Sequence, residues 1–183
     1  MNIKYDYITI SHKDKVGIMP DSDTIHLKLI FEVPTGRVLG AQAIGKGNVD
    51  KRIDVIATLI KFNGTLEDLK ELELCYAPSF GTARDTVNIA ALVGLNILQG
   101  SFKQVHVDQV RDLVEKGAYI IDVRNKDEYE KAHLINDRNI PLGEIRDRID
   151  EIPKDRPVYL YCRTSRRSYN AIMALKDLGF DNL

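Results

Sequence analysis

The stretch Val158-Tyr159-Leu160-Tyr161-Cys162-Arg163-Thr164-Ser165-Arg166-Arg167-Ser168 decides how the second half of the chain is read. Four apolar residues in a row read as a short strand buried on both faces, the habit of a parallel sheet. Such a strand delivers the chain to its carboxyl edge, where open α/β sheets bind ligands. Cys162 is the first residue past that edge. The loop then feeds a helix starting near Ser168, so loop amides and the helix N-terminus turn N–H groups and positive potential toward the sulfur. Arg163, Arg166 and Arg167 add formal positive charge. Both effects favour the thiolate, the nucleophilic form. The same cradle would stabilise a persulfide or an oxyanion. A lone cysteine at a strand end is ordinarily a small buried hydrophobe. The strand, the arginine-rich loop and the helix around Cys162 favour a nucleophile instead.

Outward from this loop, residues 119–123 (Tyr-Ile-Ile-Asp-Val) form a second apolar strand. Helical segments are expected at 107–116, 126–131, 142–149 and 168–178, with a short strand or turn at 139–141. Strands alternating with helices imply a parallel sheet. Before Gly100 the character differs. Residues 3–10, 24–33 and 38–44 read as strands, the last two joined by the turn Pro34-Thr35-Gly36-Arg37 into an antiparallel hairpin. Apolar residues at 49, 53, 56, 57 and 60 mark a helix over 49–61. Thr65-Leu66-Glu67-Asp68 opens a short helix with a capping box, and 85–98 is a further amphipathic helix. A boundary near Ser101-Phe102-Lys103 divides the chain into an α+β domain over 1–100 and an α/β domain over 104–183.

The composition is ordinary for globular domains, with 44% hydrophobic and 29% charged residues among 183. Twenty-six Lys and Arg against 27 Asp and Glu give a net charge of -1, which offers no electrostatic reason to expect nucleic acid. No apolar run approaches the roughly 20 residues that span a bilayer. The N-terminus lacks the apolar core of a signal peptide. Two well-separated cysteines, Cys75 and Cys162, fit a reducing compartment, and the expected location is the cytoplasm. No metal site is expected. The chain opens directly into strand-like sequence and stops where a new strand would start, as expected of a fragment of a longer protein.

The motifs Ile120-Ile121-Asp122-Val123-Arg124, Glu128-Tyr129, Ala132-His133-Leu134, Asn139-Ile140-Pro141-Leu142 and Tyr161 to Ser168 follow one another in an order that resembles single-domain rhodaneses. The resemblance implies that Cys162 carries a persulfide. It implies that Arg163, Thr164, Ser165, Arg166, Arg167 and Ser168 hold the sulfur or its donor, and that Asp122 and Arg124 support the site by ion pairing. Glu128 and His133 match scaffold positions. Where the family usually reads Gly-His-Ile-x-Gly-Ala, this chain has Ala132-His133-Leu134-Ile135-Asn136-Asp137. Ser165 stands where glycine is common, and a side chain resists the positive φ that glycine accepts. The chain also stops before the family's closing Gly-Gly segment and last helix, so the domain is read as C-terminally truncated. The related cysteine phosphatases need an arginine six residues after the cysteine. Here that residue is Ser168, and Arg167 comes one position early, which favours sulfur chemistry.

Residues 27–31, Leu39-Gly40-Ala41-Gln42-Ala43-Ile44-Gly45, 49–57, Leu72-Glu73-Leu74-Cys75-Tyr76-Ala77-Pro78 and 85–90 resemble the C-terminal dimerisation domain of flavin-dependent pyridine nucleotide-disulfide oxidoreductases. By pattern they resemble the coenzyme A-disulfide reductase, NADH oxidase and persulfide reductase group. The resemblance implies a homodimer, and a supporting role for Tyr76 at the partner's redox site. A second family tyrosine, in a Tyr-Pro-Gly stretch, is replaced here by Ile18-Met19-Pro20-Asp21. Cys75 is read as structural, in a strand-like run. The resemblance implies FAD and NAD(P)H in the full-length parent, with none bound by this chain. It also implies small sulfur donors: thiosulfate, low-molecular-weight persulfides or coenzyme A species. The competing expectation is a non-catalytic dimerisation and docking module with an inert rhodanese unit.

Overall fold

In the computed structural model, which describes residues 3–183, the chain divides into two compact units, Met1–Ser101 and Phe102–Leu183. The first is built on β1 (Tyr5–Lys13), β2 (Thr24–Glu32) and β3 (Val38–Ile44), an antiparallel sheet in that order. Along β2 the period of two is complete. Ile25, Leu27, Leu29 and Phe31 are fully buried, while His26 between them is exposed. Pairing Ile8 with Leu29 and Leu29 with Ala41 keeps one apolar face across the sheet. Three helices pack near that face: α1 (Val49–Lys61), α2 (Leu66–Glu71) and α3 (Thr86–Leu98). Ile56, Leu66, Leu69, Val87, Ala90 and Ala91 complete the core. The α2 capping box is present, with Thr65 as N-cap and Asp68 closing it.

A buried ion pair ties α1 to the start of α3. Arg52 donates from Nε and Nη2 to the two Asp85 carboxylate oxygens at 3.0 and 2.7 Å. It also donates to the Asp14 and Asn48 carbonyls at 2.7 and 2.9 Å. Asp85 is at the same time the N-cap of α3. The strand-like run expected at Leu74 and Cys75 takes no regular structure, and Cys75 is exposed rather than packed. Asn88 uses its side-chain amide on the Leu69, Lys70 and Leu72 carbonyls, which directs the backbone at the head of this run toward a side chain rather than a ladder.

The second unit contains α4 (Val107–Glu115), β4 (Tyr119–Asp122), α5 (Lys126–Lys131), β5 (Arg138–Asn139), β6 (Val158–Tyr161) and α6 (Arg166–Asp177). Its sheet is parallel, in the order β5-β4-β6, with Asp122 opposite Tyr161. Ile121, Val123, Ile140, Ile145, Val158, Ala171, Leu175 and Phe180 form its core. The helix expected over 142–149 is instead two 3₁₀ turns, Leu142–Glu144 and Ile149–Glu151. Gly143 lowers helix propensity by about 1 kcal/mol, and the break lets both Ile145 and Ile152 reach the core. Arg148 fastens the bend by donating to Glu144, Glu151 and the Asn139 carbonyl. The helix expected from Ser168 begins two residues earlier, at Arg166.

Candidate functional site

β6 ends at Tyr161, and Cys162 follows at the carboxyl edge of the sheet, half-buried. The backbone then turns sharply. Ser165 is the N-cap of α6 with φ 62 and ψ −14, in the left-handed region. The loop thus keeps the conformation suited to glycine with a serine in place, at a cost of about 1 kcal/mol. This turn aims the first amides of α6 back toward Cys162. Burial alone pushes the Cys162 thiol up. The amides of Ser168, Thr164 and Arg167 and the Ser168 hydroxyl outweigh it, holding the thiol below its ordinary range.

Ser168 is buried and can serve either protonation state of the sulfur. Its hydroxyl donates to the Ser165 carbonyl at 2.9 Å, while its oxygen lies 3.7 Å from Sγ and accepts from the thiol. Rotation of the hydroxyl toward Sγ would let it donate to the thiolate. Arg167 is not a free positive charge, in contrast to the sequence expectation. It makes a two-pronged pair with Glu128, Nη1–Oε2 at 2.5 Å and Nη2–Oε1 at 2.8 Å. Arg167 chiefly accounts for a Glu128 carboxyl pushed down to about 2. Arg163, Thr164 and Arg166 are exposed on the outer side of the loop.

The neighbouring strand contributes a second charged pair. Asp122 is fully buried, and Arg124 donates to its two oxygens at 3.0 Å from Nε and 2.6 Å from Nη2. Nη2 of Arg124 also donates to the Ala132 carbonyl at 2.7 Å. Arg124 and Cys162 both line a cavity of 250 Å³, with Ala132, His133, Leu134 and Tyr161. His133 stacks on Tyr129, ring centroids 4.0 Å apart, with Nδ1 2.9 Å from the Tyr129 carbonyl. A carbonyl only accepts, so Nδ1 carries a proton. The geometry therefore brings Cys162, Ser168, Arg167, Asp122 and Arg124 into one neighbourhood. Tyr161, Leu134 and Asp137 were absent from the sequence-derived set, although Tyr161 is adjacent to Cys162 in the chain.

Tyr76 lies in the first unit, half exposed. It lines a 620 Å³ cleft together with Cys75, Arg84, Asp85 and Asn88. Neither strand-to-helix turn of the parallel sheet fits a dinucleotide. Residues 123–125 (Val-Arg-Asn) and 162–165 (Cys-Arg-Thr-Ser) hold no glycine where a pyrophosphate would approach the backbone.

Residues 1–87 match the pyridine nucleotide-disulphide oxidoreductase dimerisation domain family, and residues 106–183 match the rhodanese-like domain family. The coenzyme A disulfide reductase of Staphylococcus epidermidis is 34% identical over 88 residues, which is 48% of this chain and 20% of that protein. The Bacillus subtilis uncharacterized protein YqhL is 47% identical over 62 residues, 34% of this chain and 49% of that protein. Among solved structures, reduced Bacillus anthracis CoADR-RHD superposes with a TM-score of 0.94 at 39% identity, over 98% of this chain and 32% of that one. The NAD-dependent persulfide reductase from A. fulgidus gives a TM-score of 0.85 at 36% identity, again over 98% and 32%. The chain thus spans about a fifth of its curated reductase relative and about a third of these two solved chains. It consists of a pyridine nucleotide-disulphide oxidoreductase dimerisation domain joined to a rhodanese-like domain.

Proposed function

We propose that the chain is the C-terminal part of an FAD- and NAD(P)H-dependent persulfide or coenzyme A-disulfide reductase, and that Cys162 carries sulfane sulfur as a persulfide. The observation that supports this most is the cradle of Ser168, Thr164 and Arg167 amides that favours the Cys162 thiolate. With an organic persulfide R–S–SH, the thiolate attacks the sulfane sulfur. A new S–S bond forms at Cys162, the donor's own RS–SH bond breaks, the thiolate R–S⁻ leaves, and the proton stays on the transferred sulfur. With thiosulfate the leaving group is sulfite. Arg163, Thr164, Ser165, Arg166, Arg167 and Ser168 bind the donor. Arg163 and Arg166 steer its anionic part from the outer side of the loop, and the turn at Ser165 aims the amides. Asp122 and Arg124 hold the strand end. Tyr76 supports the parent's redox site, in a cytoplasmic homodimer.

Cyanolysis tests the reading. The protein is incubated with thiosulfate or glutathione persulfide, cleared of donor, and treated with cyanide. Thiocyanate in proportion to protein, absent in Cys162→Ser, is expected. No Cys162-dependent thiocyanate with either donor would leave the inert docking module as the better account. Turnover of an aryl phosphate that is lost in Cys162→Ser would contradict sulfur chemistry.

A further inference from the structure

The cavity beside Cys162 has one wall made by Ala132, His133 and Leu134, the first half of a segment, residues 132–137, without helix or strand. Among the described residues its own backbone supplies a single long bond, from the Asp137 N–H to the Leu134 carbonyl at 3.4 Å. Side chains hold the rest. Arg124 fastens the near end at Ala132. At the far end a single phenol does two jobs. The Tyr161 hydroxyl accepts from the Leu134 N–H at 3.3 Å and donates to Asp137 Oδ2 at 2.5 Å. Burial first, then Asp137, pushes this hydroxyl above its ordinary range, so it stays protonated and donates. Tyr161 immediately precedes Cys162 and lines the same cavity.

We propose that Asp137 and Tyr161 are positioning residues. They latch the wall of the cavity to the strand that carries Cys162, and so set the size of group that can reach Sγ. The inference rests on the reading of Cys162 as the nucleophile. Asp137 Oδ1 is buried with no hydrogen-bond partner among the described residues, which costs about 1–3 kcal/mol. A carboxylate kept under that cost is explained by what its other oxygen holds. An alanine at 137, which the family pattern favours, would offer no acceptor to Tyr161. Burial first, and then Asp137, push the Tyr129 hydroxyl above its ordinary range as well.

The test compares alkylation rates at Cys162 for a small reagent, iodoacetamide, and a bulky one, fluorescein maleimide. The Cys162 peptide is followed by mass spectrometry in the 183-residue chain. In Tyr161→Phe and Asp137→Ala the bulky-to-small rate ratio is expected to rise about fivefold or more. In Asp137→Asn, which keeps an acceptor oxygen, it stays within about twofold of the parent chain. A purely structural role would lower the melting temperature and leave the ratio unchanged. An unchanged ratio in both Tyr161→Phe and Asp137→Ala overturns the proposal, and if Tyr161→Phe does not fold, the two Asp137 variants decide it. The ratio is read without any sulfur donor. Failure of cyanolysis in the unmodified chain therefore strikes the proposed function, and an unmoved ratio strikes the latch.

Discussion

Removing the Ser168 hydroxyl is expected to raise the Cys162 thiol, because that hydroxyl stands among the groups that hold it down. At neutral pH the iodoacetamide rate of Ser168→Ala should fall by about fivefold, the worth of one hydrogen bond, and the midpoint of its pH profile should move up. A midpoint that stays put would remove Ser168 from the cradle. Glu128→Gln acts in the opposite sense. It frees Arg167 from its carboxylate partner, so the Cys162 midpoint should move down. The same carboxylate predicts an acid response. Its folded-state value near 2 lies below the unfolded value of about 4.3. Its stabilising contribution is therefore present above about pH 4.3 and is lost as pH falls from there through about 2. Urea titrations across that window should show a loss of stability in the parent chain that is smaller in Glu128→Gln. Cys162 and its amide-lined loop were legible from the strand-Cys-loop-helix order alone. The neutralisation of Arg167 was not, because Glu128 lies 39 residues away and sequence spacing does not report which charges meet.

Two elements carry costs that substitution can expose. Ser165 sits at φ 62 to start α6. Ser165→Gly should stabilise the second unit by about 1 kcal/mol while keeping the alkylation profile of Cys162. A destabilised Ser165→Gly would mean that the serine side chain contributes more than its strain costs. In the first unit, Arg52→Ala leaves Asp85 buried without its cation. Removing one partner of such a pair costs about 3–5 kcal/mol, readable by chemical denaturation as a lower midpoint. The strands β2, β3 and β6 and helix α1 were legible to within a residue or so, since period-two and period-3.6 burial both appear in the sequence. The 142–149 helix was misread because apolar residues at 142, 145, 149 and 152 satisfy a helical period and also two separate 3₁₀ turns. Gly143 and the Arg148 fastening choose between them. The run at Leu74 and Cys75 was misread because apolar residues alternate there, while Asn88 takes the carbonyls that lead into it.

At the scale of the molecule, two domain types with separate cores lie on one chain. The dimerisation-domain family predicts a dimer, which light scattering checks, and a monomer at micromolar concentration would count against it. Both domain types were legible from ordered motifs, and the 98% coverage by two solved chains joins them in the same order. The latch at Asp137 was hidden because its residue type departs from the family pattern, and because its partner, Tyr161, reads in sequence as one more apolar strand position. The central claim is that Cys162 holds sulfane sulfur, and peptide mass spectrometry after glutathione persulfide treatment tests it most directly. The account predicts a mass gain of one sulfur atom on the Cys162 peptide, reversed by dithiothreitol and missing in Cys162→Ser. An unmodified Cys162 peptide, with sulfur found on Cys75 or nowhere, would contradict it.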